Sequence, residues 1–190
     1  MKPSDDERCA EAAKFRKIDA AFRAGDLDAL RAAVEDPNDI PNGVMPHTIG
    51  TCLIYAIYHS PLRFIRQLLE VGADPVPETL DGFPPLIAAL SCSRSQPGSP
   101  GRPDVSDIIR TLLEFGADPA QRGLNDYTAL HMAVAERNLA AVRLLLEAGA
   151  DPAVRTRIDD YETPLEIARA AGLRDIAAIL ESAEHTPRRN

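Results

Sequence analysis

Apolar residues recur at three- and four-residue spacings along most of the chain, which predicts short amphipathic helices. A first helix predicted over 129–136 carries the small residues Ala129 and Ala133, which allow another helix to approach closely. After a turn at 137–138, a second helix over 139–148 carries an apolar stripe: Leu139, Val142, Leu145 and Leu146. A single hairpin cannot cover this stripe, so we expect several such hairpins to stack.

The end of the second helix is written three times with a single residue changed: LLEVGADP from residue 68, LLEFGADP from 112 and LLEAGADP from 145. Gly116 and Gly149 lie 33 residues apart, whereas Gly72 and Gly116 lie 44 apart. The difference indicates an insertion of 11 residues. The insertion is visible at 91–103 as SCSRSQPGSPGRP, which has no helical period.

A second landmark opens a short motif: TCLIYA at 51–56, PPLIAA at 84–89 and TALHMA at 128–133. It lies 21 residues before Gly72 and Gly149, and 32 residues before Gly116, where the insertion accounts for the extra 11. A fourth copy, TPLEIA, occupies 163–168. This pattern resembles the ankyrin repeat, a 33-residue unit with a T-P-L-H-x-A start and two antiparallel helices. The resemblance covers roughly 15–183. It implies an all-α solenoid of stacked helix-turn-helix units with short β-turn fingers, in about five layers including caps.

The prediction is one domain, 1–190, divided as follows: N-terminal capping helices 4–45, full repeats 46–78, 79–122 (with the inserted loop 91–103) and 123–157, a C-terminal capping repeat 158–184 and a tail 185–190. In the first cap, a helix after the capping-box sequence SDDE places five residues on one face: Cys9, Ala12, Phe15, Ile18 and Phe22. Gly25 ends it, and a helix over 26–35 follows. In the last cap, Glu181 stands where the third repeat has Leu146, because the outer side is solvated.

Several polar residues receive a structural interpretation. The Asp-Pro pairs at 74–75, 118–119 and 151–152 brace turns and stop helices. His131 is the residue that matches the family's structural histidine, and its positions in the other copies hold Ile54, Ile87 and Glu166. The hydrogen bonds that the family histidine makes are therefore not assured in those three copies.

Composition and charge limit the classes of function. The formal net charge of −8 argues against nucleic acid or anionic lipid as a partner. Three widely spaced cysteines and the absence of an apolar signal or membrane span predict a cytoplasmic protein. Arginine greatly outnumbers lysine, and this with abundant alanine is typical of GC-rich bacterial genomes. Histidines and cysteines show no metal-ligand spacing, so no enzyme, metal or cofactor is predicted.

The resemblance implies a partner-binding surface at the finger tips and at the ends of the first helices. The finger positions are His47, Thr48, Leu80, Asp81, Phe83, Leu124, Asn125, Tyr127, Asp159, Asp160 and Glu162. The helix-end positions are Tyr58, His59 and Glu136, and the insertion adds Arg94 and Arg102. Tyr58, Phe83 and Tyr127 form either an exposed aromatic file or packing between adjacent fingers. The acidic residues either attract a basic partner or form an ordinary solvated loop, and the insertion either selects the partner or is neutral.

We therefore predict a monomeric, non-catalytic module that binds another protein, one with a basic surface. Two narrower roles remain open: a stoichiometric inhibitor or immunity-type protein that covers a basic partner, and an adaptor that joins two proteins. A third alternative belongs to another class, an accessory or small-molecule-binding protein that uses the groove near the 91–103 insertion.

Overall fold

The computed structural model describes residues 5–43, 50–78, 82–93, 101–123, 126–157 and 161–185. Within these residues the regular structure consists of ten α-helices and a short 3-10 helix. The all-α prediction is confirmed. The chain divides into two compact units, Met1–Asp74 and Pro75–Asn190, and each is described by itself.

The first unit holds two helix pairs: α1 (Asp5–Ala24) with α2 (Leu27–Ala33), and α3 (Cys52–His59) with α4 (Leu62–Glu70). The 3-10 helix Pro37–Asp39 lies between the pairs. Helix α1 packs against both α2 and α3. Asn42 joins the segment after the 3-10 helix to the end of α4, since its side chain donates to the Gly72 carbonyl (2.9 Å) and accepts from the Asp74 N–H (2.8 Å).

The face predicted for α1 is buried only in its second half. Ile18 and Phe22 are buried and Phe15 is half-buried, but Cys9 and Ala12 are exposed. The prediction was wrong for those two residues because α1 extends beyond the helices that cover it. The predicted capping residue Ser4 lies outside the described residues. Gly25, with φ +67°, ends α1 as expected, and the Asp26 carboxylate then accepts from the Ala29 N–H (2.9 Å) to begin α2.

The second unit is a linear stack of three helix pairs: α5 (Pro85–Ser91) with α6 (Val105–Glu114), α7 (Ala129–Ala135) with α8 (Leu139–Glu147), and α9 (Pro164–Ala170) with α10 (Arg174–Glu184). The first helix of each pair packs on the first helix of the next, α5 on α7 and α7 on α9. The second helices do the same, α6 on α8 and α8 on α10. This is the arrangement that the repeated hairpins predict.

The repeated Gly-Ala-Asp-Pro turn ends its helix just before the glycine, and its aspartate accepts a hydrogen bond within the turn, as predicted. Gly149 has φ +88°, a left-handed conformation that glycine adopts without a Cβ penalty. The N–H groups of Gly149 and Ala150 donate to the last carbonyls of α8, at 3.0 and 2.9 Å. The Asp151 carboxylate accepts from the Ala153 N–H at 3.0 Å, and Asp118 makes the equivalent bond to Ala120 at 2.8 Å. These aspartates therefore brace turns.

The apolar stripe of α8 differs from the prediction in its edges. Val142 and Leu145 are fully buried, and Ala141 is buried beside them. Leu139 and Leu146, which the periodicity placed in the same stripe, are only half-buried. The buried side of α8 is therefore set by its contacts with α6, α7 and α10, and not by helical periodicity alone.

A backbone hydrogen bond joins the two ends of the insertion. Helix α5 continues through Ser91, and the Arg102 N–H donates to the Cys92 carbonyl (2.9 Å), so the two ends of the insertion meet. The Arg102 guanidinium donates to both oxygens of Asp104, at 2.9 and 2.8 Å, and its side chain is largely covered. Residues 94–100 lie outside the described part of the chain.

At the C-terminal end, Glu181 is half-exposed and its carboxylate accepts from Arg169 of α9 at 2.6 Å. A charged pair occupies this level instead of an apolar contact, which agrees with the predicted capping role of the last helix pair.

The stripe of α8 provides a stability test. Leu145→Ala should lower the free energy of unfolding by about 2–5 kcal/mol, because it leaves a cavity at a fully buried site. Leu146→Ala on the same helix is the matched control and should cost clearly less, since that side chain is half-buried. Urea unfolding followed by circular dichroism measures both, and equal losses would contradict the described burial pattern.

Candidate functional site

Seven of the predicted partner-binding residues lie in the described part of the chain: Tyr58, His59, Phe83, Arg102, Tyr127, Glu136 and Glu162. The other nine lie outside it: His47, Thr48, Leu80, Asp81, Arg94, Leu124, Asn125, Asp159 and Asp160. The surface is therefore built from the described flanks of the finger loops and from the ends of the first helices.

The finger loops of the second unit are held against one another by backbone contacts. In the α6–α7 loop, the Gly123 N–H donates to the Tyr127 carbonyl (2.8 Å), and the Gln121 side chain donates to the Pro77 carbonyl of the preceding loop (2.9 Å). Gly123 lies so close to that loop that a Cβ atom would overlap the Gly82 carbonyl oxygen. Glycine is required here for close approach.

A charged cluster joins the α6–α7 loop to the α8–α9 loop. Its centre is Asp126, which is 7% exposed and has a left-handed backbone with φ +61°. The Asp126 carboxylate accepts from the Arg157 N–H at 2.6 Å and from its guanidinium at 2.8 Å, and it also pairs with Arg122. Arg122 in turn donates to the Arg155 carbonyl at 3.1 Å. Charged side chains thus connect two successive fingers.

The charged cluster shifts the titration of its carboxylate. Hydrogen bonding from Arg157 holds the pKa of Asp126 below its ordinary value, and the charge of Arg122 acts in the same direction. Asp126 therefore remains ionised under ordinary conditions and serves as the fixed anion of the finger loops.

His131 supplies a second connection between the same fingers. Its Nδ1 accepts from the Thr128 N–H (3.2 Å), so the neutral ring carries its proton on Nε2, which donates to the Glu162 carbonyl (3.2 Å). The ring is fully buried, and burial lowers its pKa. Tyr127 stacks on it with ring centroids 5.4 Å apart. The predicted structural role of His131 is confirmed by these contacts.

Glu166 takes the place of the histidine in the fourth copy of the motif and makes the same kind of helix-capping bond. Its carboxylate accepts from the Thr163 N–H (2.8 Å), which closes a capping box at the start of α9. The same carboxylate receives two hydrogen bonds from Arg155, each 2.8 Å. Ile54 and Ile87, at the other two positions, are instead buried core residues.

In the first unit, an aromatic and charged patch covers the ends of α1 and α3. The Tyr55 hydroxyl donates to Asp19 at 2.6 Å, and Asp19 also accepts from Arg23 at 2.8 Å. His59 packs on Tyr55 with ring centroids 4.4 Å apart, and both His59 and Tyr58 are exposed. The Arg23 hydrogen bond holds the pKa of Asp19 below its usual value, while burial raises the pKa of Tyr55.

The aromatic residues near the finger loops and the helix ends differ in how far their side chains are exposed. Tyr58 is 37% exposed, whereas Phe83 and Tyr127 are half-buried. The largest exposure of an aromatic side chain in the described residues belongs to Tyr161, at 60%, in the α8–α9 loop. Its backbone is left-handed, with φ +54°, and Arg155 donates to its carbonyl at 2.7 Å.

Sequence reasoning missed Tyr161 because it read this loop only for its acidic residues. A tyrosine placed directly between two acidic residues, Asp160 and Glu162, was the available signal.

Comparison with known families assigns this architecture. The family model described as ankyrin repeats (3 copies) matches residues 102–189, which contain the last helix pairs of the second unit. Residues 102–189 of the chain are ankyrin repeats. Comparison with curated proteins gives no significant match.

Ankyrin repeats are in general modules of protein–protein interaction and typically not catalytic. Among the described residues of this ankyrin protein, no group of three or more histidine, cysteine or acidic residues could hold a metal ion. No helix in the described ranges has the length and apolar character needed to cross a bilayer.

The charged cluster of the ankyrin fingers predicts an acid-sensitive contribution to stability. Asp126→Asn should lower the free energy of unfolding at neutral pH by about 1 kcal/mol, since the side chain of its partner Arg157 is largely solvated. Because the pKa of Asp126 is lowered in the folded state, the loss should shrink as the pH falls below about 4. Glu147→Gln, an exposed change on α8, is the control for urea unfolding at several pH values. A pH-independent loss would contradict the ionic role.

His131 predicts a second pH dependence, at higher pH. Its pKa is lowered on folding, so the unfolded chain binds the proton more readily and stability falls as the pH drops below about 6.5. The loss from this residue is at most about 1.4 kcal/mol per pH unit. His131→Gln retains a side chain suited to the capping box and should flatten this segment of the profile. Urea unfolding at pH values on both sides of the transition tests it, and unchanged slopes would refute the assignment.

Proposed function

We propose that this ankyrin-repeat chain is a non-catalytic module that binds a partner protein through its finger loops and the ends of its first helices. The observation that carries the proposal is the pairing of exposed aromatic residues with rigid supports. Tyr161 lies in a loop that Arg155 anchors by a hydrogen bond to the Tyr161 carbonyl. Tyr58 lies at the end of α3, where the following residue, His59, packs on Tyr55. Exposed tyrosines on rigid elements lose little entropy on binding and are frequent interface anchors.

The anchoring of the fingers favours a preformed binding surface. The charged cluster around Asp126 and the His131 bond to Glu162 fix the α8–α9 loop to its neighbour before any partner arrives. A surface that is ordered in advance avoids part of the entropic cost of association. In the second unit, Glu136 and Glu162 accompany Tyr161 among the proposed binding residues, and Phe83 and Tyr127 support them from half-buried positions. In the first unit, His59 accompanies Tyr58.

The net charge of −8 favours a partner with a basic surface. For the same reason we favour an inhibitor that covers such a partner over an adaptor that joins two proteins. A monomeric state and a cytoplasmic location are part of the proposal. The small-molecule alternative places its site near the 91–103 insertion, of which residues 94–100 lie outside the described part of the chain.

A capture experiment tests the binding surface. The immobilised full chain is exposed to an extract of the source organism, retained proteins are identified by mass spectrometry, and the affinity of each purified candidate is measured. Tyr58→Ala combined with Tyr161→Asn should weaken the true complex at least about tenfold, because truncating an aromatic anchor commonly costs 2 kcal/mol or more. Asparagine is chosen at 161 because it tolerates the left-handed backbone.

Arg143→Gln is the control, since Arg143 is an exposed residue within α8, outside the finger loops. It should leave the affinity unchanged. A partner that binds the double tyrosine variant as tightly as the parent chain would refute the proposed surface, and loss of affinity in the control alone would relocate it to the second helices.

A further inference from the structure

The ends of α7 and α9 opposite the finger loops border a groove, and of the residues in the proposed function only Glu136 lies beside it. Two adjoining depressions, of about 430 and about 390 Å³, share Arg137 and Leu173 and therefore form one continuous groove. It lies where α7 turns into α8 and α9 turns into α10. The fingers adjoin the other end of α7, about 10 Å away along the seven-residue helix. We name this feature the turn groove.

The walls of the turn groove are largely apolar. Ile176 is buried, while Leu139, Leu173 and Ile167 are half-buried, so part of each side chain faces the groove. The partial exposure of Leu139 is the departure from the predicted α8 stripe noted above. The volume falls within the range of about 300–1,000 Å³ typical of ligand-accepting clefts. The turn groove can therefore accept one or more aliphatic side chains from a partner.

Two guanidinium groups stand at the turn groove. Arg137 is held by a left-handed backbone, φ +55°, and by its N–H bond to the Val134 carbonyl (2.9 Å), while Arg174 is the first residue of α10. Within the described residues neither side chain takes part in an ion pair or side-chain hydrogen bond. Asp175 is the one carboxylate among the lining residues of the larger depression. The groove thus carries a local excess of positive charge in a chain of net charge −8.

Other arginines of the second unit contrast with these two. Arg122 and Arg157 pair with Asp126, Arg155 pairs with Glu166, and Arg169 pairs with Glu181. Those groups have structural partners, whereas Arg137 and Arg174 present hydrogen-bond donors beside an apolar surface. Guanidinium groups match carboxylates in geometry as well as charge.

We propose that the turn groove binds an acidic–apolar segment of a protein partner. An aliphatic side chain of the segment lies against Leu139 and Leu173, and carboxylates on either side of it pair with Arg137 and Arg174. Because the rest of the chain is acidic, such a segment is repelled elsewhere and directed to this groove. The surface is separate from the fingers, so the inference does not rest on the proposed function.

Three capped hexapeptides provide defined probes: Ac-EELLEE-NH2, Ac-KKLLKK-NH2 and Ac-EESSEE-NH2. Each is titrated into the isotope-labelled full chain at low salt, and amide chemical shifts are followed by NMR. The acidic leucine peptide should shift the amides of Gly172, Leu173 and Ile176 saturably, and added salt should weaken it. The lysine peptide tests charge, and the serine peptide tests the apolar contact, so both should bind far more weakly.

Variants locate the binding. Arg137→Asn keeps a residue that tolerates the left-handed backbone, and Arg174→Gln removes charge at an exposed helical position. Together they should weaken the acidic leucine peptide roughly tenfold. Arg143→Gln, an exposed arginine of α8 outside the groove, should have no effect. Thermal unfolding checks that each variant is folded.

Four results would overturn the proposal: no saturable shift with the acidic leucine peptide, equal binding of the lysine or serine peptide, shifts confined to residues away from α7 to α10, or full affinity in the folded double variant. None of these results bears on Tyr58 and Tyr161, so the fate of the turn groove and that of the finger surface are decided independently.

Discussion

The structure depends on the fact that each helix pair leaves an apolar face that only another pair can cover. In α8 the fully buried side chains, Val142 and Leu145, face neighbouring helices and not their own partner alone. Burial of this kind contributes on the order of 25 cal/mol per Å² of apolar surface, so a pair without a neighbour loses much of its stabilisation. The repeated octapeptide and the linear stack of the second unit are two consequences of this single requirement. The charged Glu181–Arg169 contact marks the level where covering stops.

The finger loops of the second unit are positioned by polar contacts and not by apolar stacking. Asp126 accepts from the Arg157 N–H of the next finger, and His131 joins the Thr128 N–H to the Glu162 carbonyl of the next finger. Both of these contacts between fingers span 31 residues, because the repeat returns the chain to the same place in each layer. Glu166 accepts from the Thr163 N–H and pairs with Arg155 of its own finger. The ionised Asp126 and the neutral His131 follow from their surroundings, arginine donors in one case and burial in the other. The described flanks of these two fingers are thereby joined to each other.

Ordering at the fingers leaves two kinds of surface at opposite ends of the first helices in the second unit. At the finger end, Tyr161 stands exposed above paired charges. At the turn end, Arg137 and Arg174 adjoin partly uncovered leucines. The two surfaces favour different chemistry in a partner, a basic one at the fingers and an acidic–apolar one at the turns. A chain with this arrangement can contact one large partner at both ends or two partners separately.

The sequence alone determined the repeat unit, its helices, the turn glycines and the structural role of His131, because these follow from local periodicity and from residue types that recur in register. It also placed the insertion, since a shift of 11 residues in the glycine spacing has no other local explanation. The tertiary structure decided which periodic residues are buried. Cys9 and Ala12 on the first half of α1 are exposed, and on α8 Ala141 is fully buried whereas Leu139 and Leu146 are half-buried. The tertiary structure alone paired Asp126 with Arg157 and exposed Tyr161, because these depend on loops some 30 residues apart being brought side by side, a distance over which helical periodicity carries no information.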